Sequence, residues 1–279
     1  MTLTDSASIF TRDNVQILHI DNVLAKAEIS LFGGHLLSFI PKHDNRERLW
    51  VSDKAIFDGK KAIRGGIPIC WPWFGDHASD KNVAAHGYVR TQTWEVLNTE
   101  ESDTGTTLTL KPSTSAGDGF AGNAQLTLAV HVGQQLNIQL RTTNLGDTPL
   151  TYHCALHSYF AISDINQCEL VGLSGQYSDK TRDYKMFDTP HPYCFDEETD
   201  RVHQQQPRTL SIKDIEAKTD VLSSGHDSIV VWNPWQHKSI SMGDMADDSY
   251  LTMLCVETAI TQGQEVAPKT THVLEQIIK

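Results

Sequence analysis

The chain has 279 residues, 39% hydrophobic and 21% charged, the balance of a soluble globular protein long enough to bury a large core. Its formal net charge of −12 argues against nucleic acid and anionic membrane surfaces as partners, and no apolar run approaches the ~20 residues of a bilayer span. The N-terminus MTLTDSASIFTRDN has no basic or apolar leader region, and the five cysteines (Cys70, Cys154, Cys168, Cys194 and Cys255) form no CxxC pair, so the sequence reads as a cytoplasmic protein with buried thiols, not a disulfide frame or a zinc site.

Strand signals follow one another along the chain. Thr107–Leu110 alternates polar and apolar residues, as do Leu126, Leu128, Val130 and Val132, then Leu136, Ile138 and Leu140. Gly133-Gln134-Gln135 reads as the hairpin turn between the last two runs, and Asn144-Leu145-Gly146-Asp147 as the next turn. Further strands are expected at Ser228–Trp232, Ser239–Ser241, Leu251–Glu257 and Thr271–Ile278. Ser211–Leu222 is the one stretch whose pattern admits a helix, and it equally admits a strand. There is no repeat, low-complexity tract or charged linker. The expectation is one all-β domain over residues 1–279, built of antiparallel sheets and monomeric.

The chemistry concentrates in RGGIPICWPWFG (Arg64–Gly75) and HGYVR (His86–Arg90). Two arginines and a histidine sit on a Gly/Pro-rich segment among large aromatics. Guanidinium groups suit phosphate because they make bidentate charge-assisted hydrogen bonds, and aromatic faces suit the C–H faces of sugar rings. An acidic chain that takes an anionic ligand needs such a local basic spot, since salt screens the distant repulsion over about 8–10 Å. Arg64 and Arg90 are the candidates. Thirteen histidines raise a metal site, but His153 and His157, four apart, would stand about 13 Å apart on a strand, too far for one ion, and no HExxH occurs.

These segments, with ALHSYF (Ala155–Phe160), TDRV (Thr199–Val202), and WNPW, SMGDMADDSY and CVETA between Trp232 and Ala259, resemble the hexose-6-phosphate mutarotase branch of the aldose 1-epimerase superfamily. The matches run in family order from about Ile29 to Ala259. The resemblance implies a galactose mutarotase-like β-supersandwich with its site in a cleft on one concave face. It implies α/β interconversion of a hexose 6-phosphate by opening and reclosing the hemiacetal, with Glu257 as base and His157 as acid and with no metal, nucleotide or other cofactor. It also implies that Asp200 hydrogen-bonds a sugar hydroxyl; a turn-capping or Arg201-paired carboxylate is the plainer reading. His86 either touches the sugar or holds the loop. Ala85 departs from the glutamine that some relatives carry there, which removes one side-chain contact.

The residues themselves support the pair. His157 and Glu257 are polar groups in apolar strand-like segments, and glutamate is rarely buried without partner or function. Alternatives are a mutarotase of free aldoses, a silent sugar-binding protein, and a glycoside hydrolase. Hydrolases mostly use two carboxylates, whereas one histidine and one glutamate fit proton shuttling on a hemiacetal.

Overall fold

The computed structural model describes residues 3–215 and 217–279. Alternation decides the architecture. In Ala124–Val132 and Leu136–Asn144 every second residue is buried, because a strand turns successive side chains to opposite faces. The two pair antiparallel with Val132 opposite Leu136, Val130 opposite Ile138 and Leu128 opposite Leu140, so the expected turn at residues 133–135 aligns both apolar rows.

Three antiparallel sheets result. Ala7–Arg12, Val15–Asp21, Ala25–Ser30 and His35–Pro41 form a four-stranded meander. A second sheet runs in the order Glu169–Val171, Thr209–Lys213, Lys218–Ser224, Thr271–Ile278, Leu136–Asn144, Ala124–Val132, Gly105–Pro112 and Trp94–Ser102. The third carries the site. Its order is Lys185–Asp188, Gln176–Asp179, Thr199–His203, Ser228–Asn233, Met253–Val266, Leu150–Leu156 and Ile69–Cys70, with Tyr159–Ala161 also paired to Met253–Val266. One apolar cluster draws Leu18 and Ile20 from the first sheet, Leu128 and Leu140 from the second, and Val231 and Val256 from the third. This is the expected all-β arrangement of large antiparallel sheets.

The third sheet's second face explains its central strand. All six residues of Ser228–Asn233 are buried. Ile229 and Val231 enter the large core, whereas Val230 packs on the opposite side with Cys70, Ala155, Val202 and Ala259. Period-two alternation therefore aims Asp200, Trp232, Cys255 and Glu257 at that same opposite side: Asp200 pairs with Trp232, Trp232 with Cys255, and Val230 with Glu257.

Three sequence expectations are corrected. Ser239–Ser241 belongs to the short α-helix Trp235–Ser241, not to a strand. Asn233 Oδ1 accepts from the Trp235 N–H at 2.8 Å just ahead of that helix, and two turns are too short to display helical periodicity. Leu251 and Thr252 lie in a 3₁₀ turn, Ser249–Thr252, so the strand begins at Met253. Cys194 is exposed, unlike the other four thiols, because it sits in an irregular segment outside every strand. The open choice at Ser211–Leu222 falls to strand: Thr209–Lys213 and Lys218–Ser224 pair as a hairpin. Among the described residues, no helix is long and apolar enough to cross a membrane.

Candidate active site

His157 leaves the end of the strand Leu150–Leu156, its N–H held by Pro68 O at 3.1 Å. Its ring lies flat on Tyr159 (centroids 4.9 Å, 11° between planes), and Tyr159 stacks in turn on Trp50. The ring is thus fixed by packing, and its Nε2 stands 3.4 Å from Glu257 Oε1. The Glu257 side chain is 1% exposed and that of His157 13%. His157 Nδ1 and Glu257 Oε2 are buried without a hydrogen-bond partner. An unpaired buried polar atom costs about 1–3 kcal/mol, so two in one pair mark a site shaped for a ligand that supplies the missing bonds.

Burial and charge set the protonation of this pair. Burial pushes the Glu257 carboxyl well above its usual range, against the pull of Lys180. Burial likewise pushes His157 well below the ordinary imidazole value, reinforced by His86, Arg90 and Arg64. Both groups are driven toward their neutral forms.

Two adjoining cavities, of about 170 Å³ and 340 Å³, share Arg64, His86, His157 and Tyr159 as walls. The first adds Phe74, Lys180, Asp200, Trp232 and Glu257; the second adds Lys61, Arg90 and Asp244. A larger cavity of about 470 Å³ lies elsewhere, between Arg208, His226 and Glu275, and contains no acid–base pair of this kind.

All six candidate residues of the sequence line this paired cavity, in unequal states. Arg64 is committed: Nε donates to Asp244 Oδ2 at 3.1 Å and Nη1 to the Tyr159 hydroxyl at 3.0 Å. Arg90, in the 3₁₀ turn Val89–Thr91, donates Nη2 to Ala85 O at 3.0 Å and has no carboxylate partner among the described residues. The carbonyl of Ala85 is therefore already used by Arg90.

His86 does two things at once. Its Nδ1 accepts from the Gly75 N–H at 3.2 Å, which holds the loop and leaves the ring proton of the neutral form on Nε2. Burial, with Arg90, Lys180 and Arg64, lowers its pKa to about 3, so it is a fixed neutral donor across ordinary pH. The loop needs His86 at φ +65° and Gly87 at φ +74°. A Cβ at Gly87 would lie 1.8 Å from Trp71 O.

Asp200 and Arg201 part company because successive strand residues face opposite ways. Asp200 turns into the cavity and meets Lys180 Nζ at 3.3 Å, not Arg201. Burial raises its carboxyl and Lys180 counters that. Arg201 is a structural residue, 3.7 Å from Asp179 and seated over Tyr177 and Tyr193. The aromatics also separate. Trp71 is fully buried with Nε1 bonded to Thr142 Oγ1, Trp73 bonds Ala84 O, and only Phe74 of the three borders the cavity.

Sequence reasoning missed Lys180, Asp244 and Trp232 as site walls. Lys180 is carried on the 3₁₀ turn Lys180–Arg182, which Asp179 caps through the Thr181 N–H. Nothing in a lone Asp-Lys dipeptide announces this. His157, Cys255 and Glu257 also bring three donor atoms within 4.8 Å of one another, a possible metal set. Arg64, Arg90 and Lys180 in the same cavities oppose a dication there and favour an anion.

An all-β fold of large sheets with a buried histidine–glutamate pair beside a basic wall is an arrangement suited to a sugar epimerase, and the comparisons give the family. Residues 16–279 match the aldose 1-epimerase family, and the chain belongs to it. It is 36% identical over 273 residues to an Escherichia coli K12 protein named "Putative glucose-6-phosphate 1-epimerase", covering 95% of this chain and 90% of that one. A Salmonella typhimurium protein of the same name is 35% identical over 260 residues, covering 91% and 86%. A crystal structure described as a "putative mutarotase" from Salmonella typhimurium superposes with a TM-score of 0.91 at 33% identity, over 99% of this chain and 94% of that one. A galactose mutarotase-like protein from Clostridium acetobutylicum, 13% identical with a TM-score of 0.76 over 99% of each chain, shares the fold. Family and neighbours make this chain an epimerase-type isomerase.

Proposed function

We propose that this protein interconverts the α and β anomers of a hexose 6-phosphate, D-glucose 6-phosphate first among them. Glu257 accepts the proton of the C1 hydroxyl while His157 gives one to the ring oxygen; the C1–O5 bond breaks to the open-chain aldehyde. Rotation about C1–C2 by about half a turn presents the other carbonyl face, and the steps reverse. Each group in such a role contributes about 10²–10⁴-fold. No redox change or group transfer occurs, so the chemistry requires no cofactor.

The observation that carries this reading is the pair of unpartnered buried atoms, His157 Nδ1 and Glu257 Oε2, in a cavity whose wall holds Arg90 without a carboxylate partner. The names of the 35–36% identical relatives point to the same substrate. In this reading Arg90, with the remaining donors of Arg64, receives the phosphoryl group. Asp200 accepts from ring hydroxyls, the neutral Nε2–H of His86 donates to the sugar, and Phe74 and Trp232 flank its apolar face.

The test is exchange NMR between the anomers of glucose 6-phosphate, with unphosphorylated glucose in parallel. Acceleration confined to the phosphorylated sugar is the expected result. Equal acceleration of both would make this a general aldose mutarotase, and none of either, in folded protein, would leave a sugar-binding protein without this activity.

A further inference from the structure

The proton in the His157–Glu257 pair has two possible homes. On Glu257 it leaves two neutral groups; on His157 it leaves a carboxylate beside an imidazolium. Burial favours the neutral arrangement at both residues. Ring opening by the proposed route needs the other one, a base that can accept and an acid that can give. Burial therefore favours, in the free protein, the arrangement that does not start ring opening by that route.

The charges around the pair are divided by side, except that Arg90 reaches both members. Arg64, Arg90 and His86 face His157, from the loop ahead of Ile69–Cys70 and from the turn that follows it. Lys180 and Asp200 face Glu257, from the 3₁₀ turn Lys180–Arg182 and the strand Thr199–His203. Cys70, Cys255 and Tyr159 complete the surroundings, and burial holds all three uncharged, pushing the Cys70 thiol up to about 12. An imidazolium is thus opposed by two guanidinium groups, while a carboxylate at Glu257 has Lys180 and Arg90 in its favour and Asp200 against it.

We propose that an oxyanion held by Arg64 and Arg90 moves the pair's proton from Glu257 to His157, so that the phosphoryl group of the substrate arms the acid–base pair as well as anchoring the sugar. The step balances: the Glu257 Oε1–H bond breaks with its electrons kept by the carboxylate, and an N–H bond forms at His157 Nε2, 3.4 Å away. The oxyanion cancels the guanidinium charge that opposes the imidazolium. Arg90 is suited to this because no carboxylate already neutralises it, whereas Asp244 partly neutralises Arg64. Phosphate would then act on the rate and not on affinity alone. The link to catalysis rests on the epimerase reading; the proton shift does not.

The experiment uses full-length protein labelled with ¹³C at glutamate carboxyls and ¹⁵N in histidine rings, at pH 7, in chloride and then titrated with inorganic phosphate at equal ionic strength. Glu257→Gln and His157→Asn identify the two signals. Phosphate should move Glu257 toward the carboxylate shift and His157 toward the imidazolium shift together, a change of at least tenfold in the ratio of the two forms. Arg90→Met should abolish the response, and Arg90→Lys should keep part of it. Signals that stay in place, or that move equally in Arg90→Met, overturn the proposal. In parallel, saturating phosphate should accelerate anomer exchange of unphosphorylated glucose at least tenfold after the protein-free rate is subtracted. If the proton moves and glucose exchange stays at background while glucose 6-phosphate exchange is accelerated, the shift stands and its link to the rate is overturned; if neither sugar is accelerated, the epimerase reading falls.

Discussion

Replacing Glu257 by glutamine separates catalysis from stability, because the structure predicts opposite signs for the two. Glutamine keeps the shape but cannot accept the C1 hydroxyl proton. Loss of a general base lowers the rate about 10²–10⁴-fold, or roughly 2.7–5.5 kcal/mol of barrier. Stability should rise. The wild-type side chain is 1% exposed, and burying its charge costs about 1–3 kcal/mol that an uncharged amide does not carry. Lys180 and Arg90 recover part of it, so a net gain of about 1 kcal/mol is reasonable.

The pH dependence follows from the sign of the shift. Burial raises the folded Glu257 carboxyl above its unfolded value of about 4.3. Its contribution is fully present below that value and is lost as pH rises through the folded one. The advantage of Glu257→Gln should therefore be absent near pH 4 and grow as pH climbs. Anomer exchange of glucose 6-phosphate and denaturant melts from pH 4 to 8 read both effects. A variant that keeps most of its rate removes Glu257 as base. One that is destabilised by more than about 2 kcal/mol at pH 8 makes Glu257 a structural ion-pair member, and the reasoning fails.

Arg90→Ala should weaken use of glucose 6-phosphate about 10–100-fold, the loss of a charge-assisted contact, with free glucose changed less than threefold; equal losses would mean that Arg90 does not read phosphate. Arg64→Ala should cost the phosphosugar less than Arg90→Ala does, since Asp244 already holds Arg64, and kinetics of the two variants side by side check the order. Titration of native protein with a thiol reagent should modify one cysteine per chain, Cys194, and all five only after unfolding, because the other four are buried. Gly87→Ala should lose more than about 3 kcal/mol of stability, from φ +74° and a Cβ placed 1.8 Å from Trp71 O; a melt within 1 kcal/mol of wild type would mean that the loop can move.

The sequence alone determined what is local and repetitive. Period-two alternation carried the strands, because a pleated strand faces two environments and its residues record both. The turn at residues 133–135 was legible from composition, and the ordered motifs from Arg64 to Ala259 placed the family and the six site candidates. Where the local signal was short it misled: Ser239–Ser241 alternates like a strand but lies in a seven-residue helix.

Tertiary structure alone decided which charges are free. Arg64 and Arg90 look equivalent along the chain, yet Asp244, 180 residues away, holds one and leaves the other. Lys180 reaches Asp200 and the surroundings of Glu257 only because its turn abuts the neighbouring strand. Phe74 borders the cavity while Trp71 disappears into the core. Electrostatic state depends on distance and burial in space, and sequence separation encodes neither.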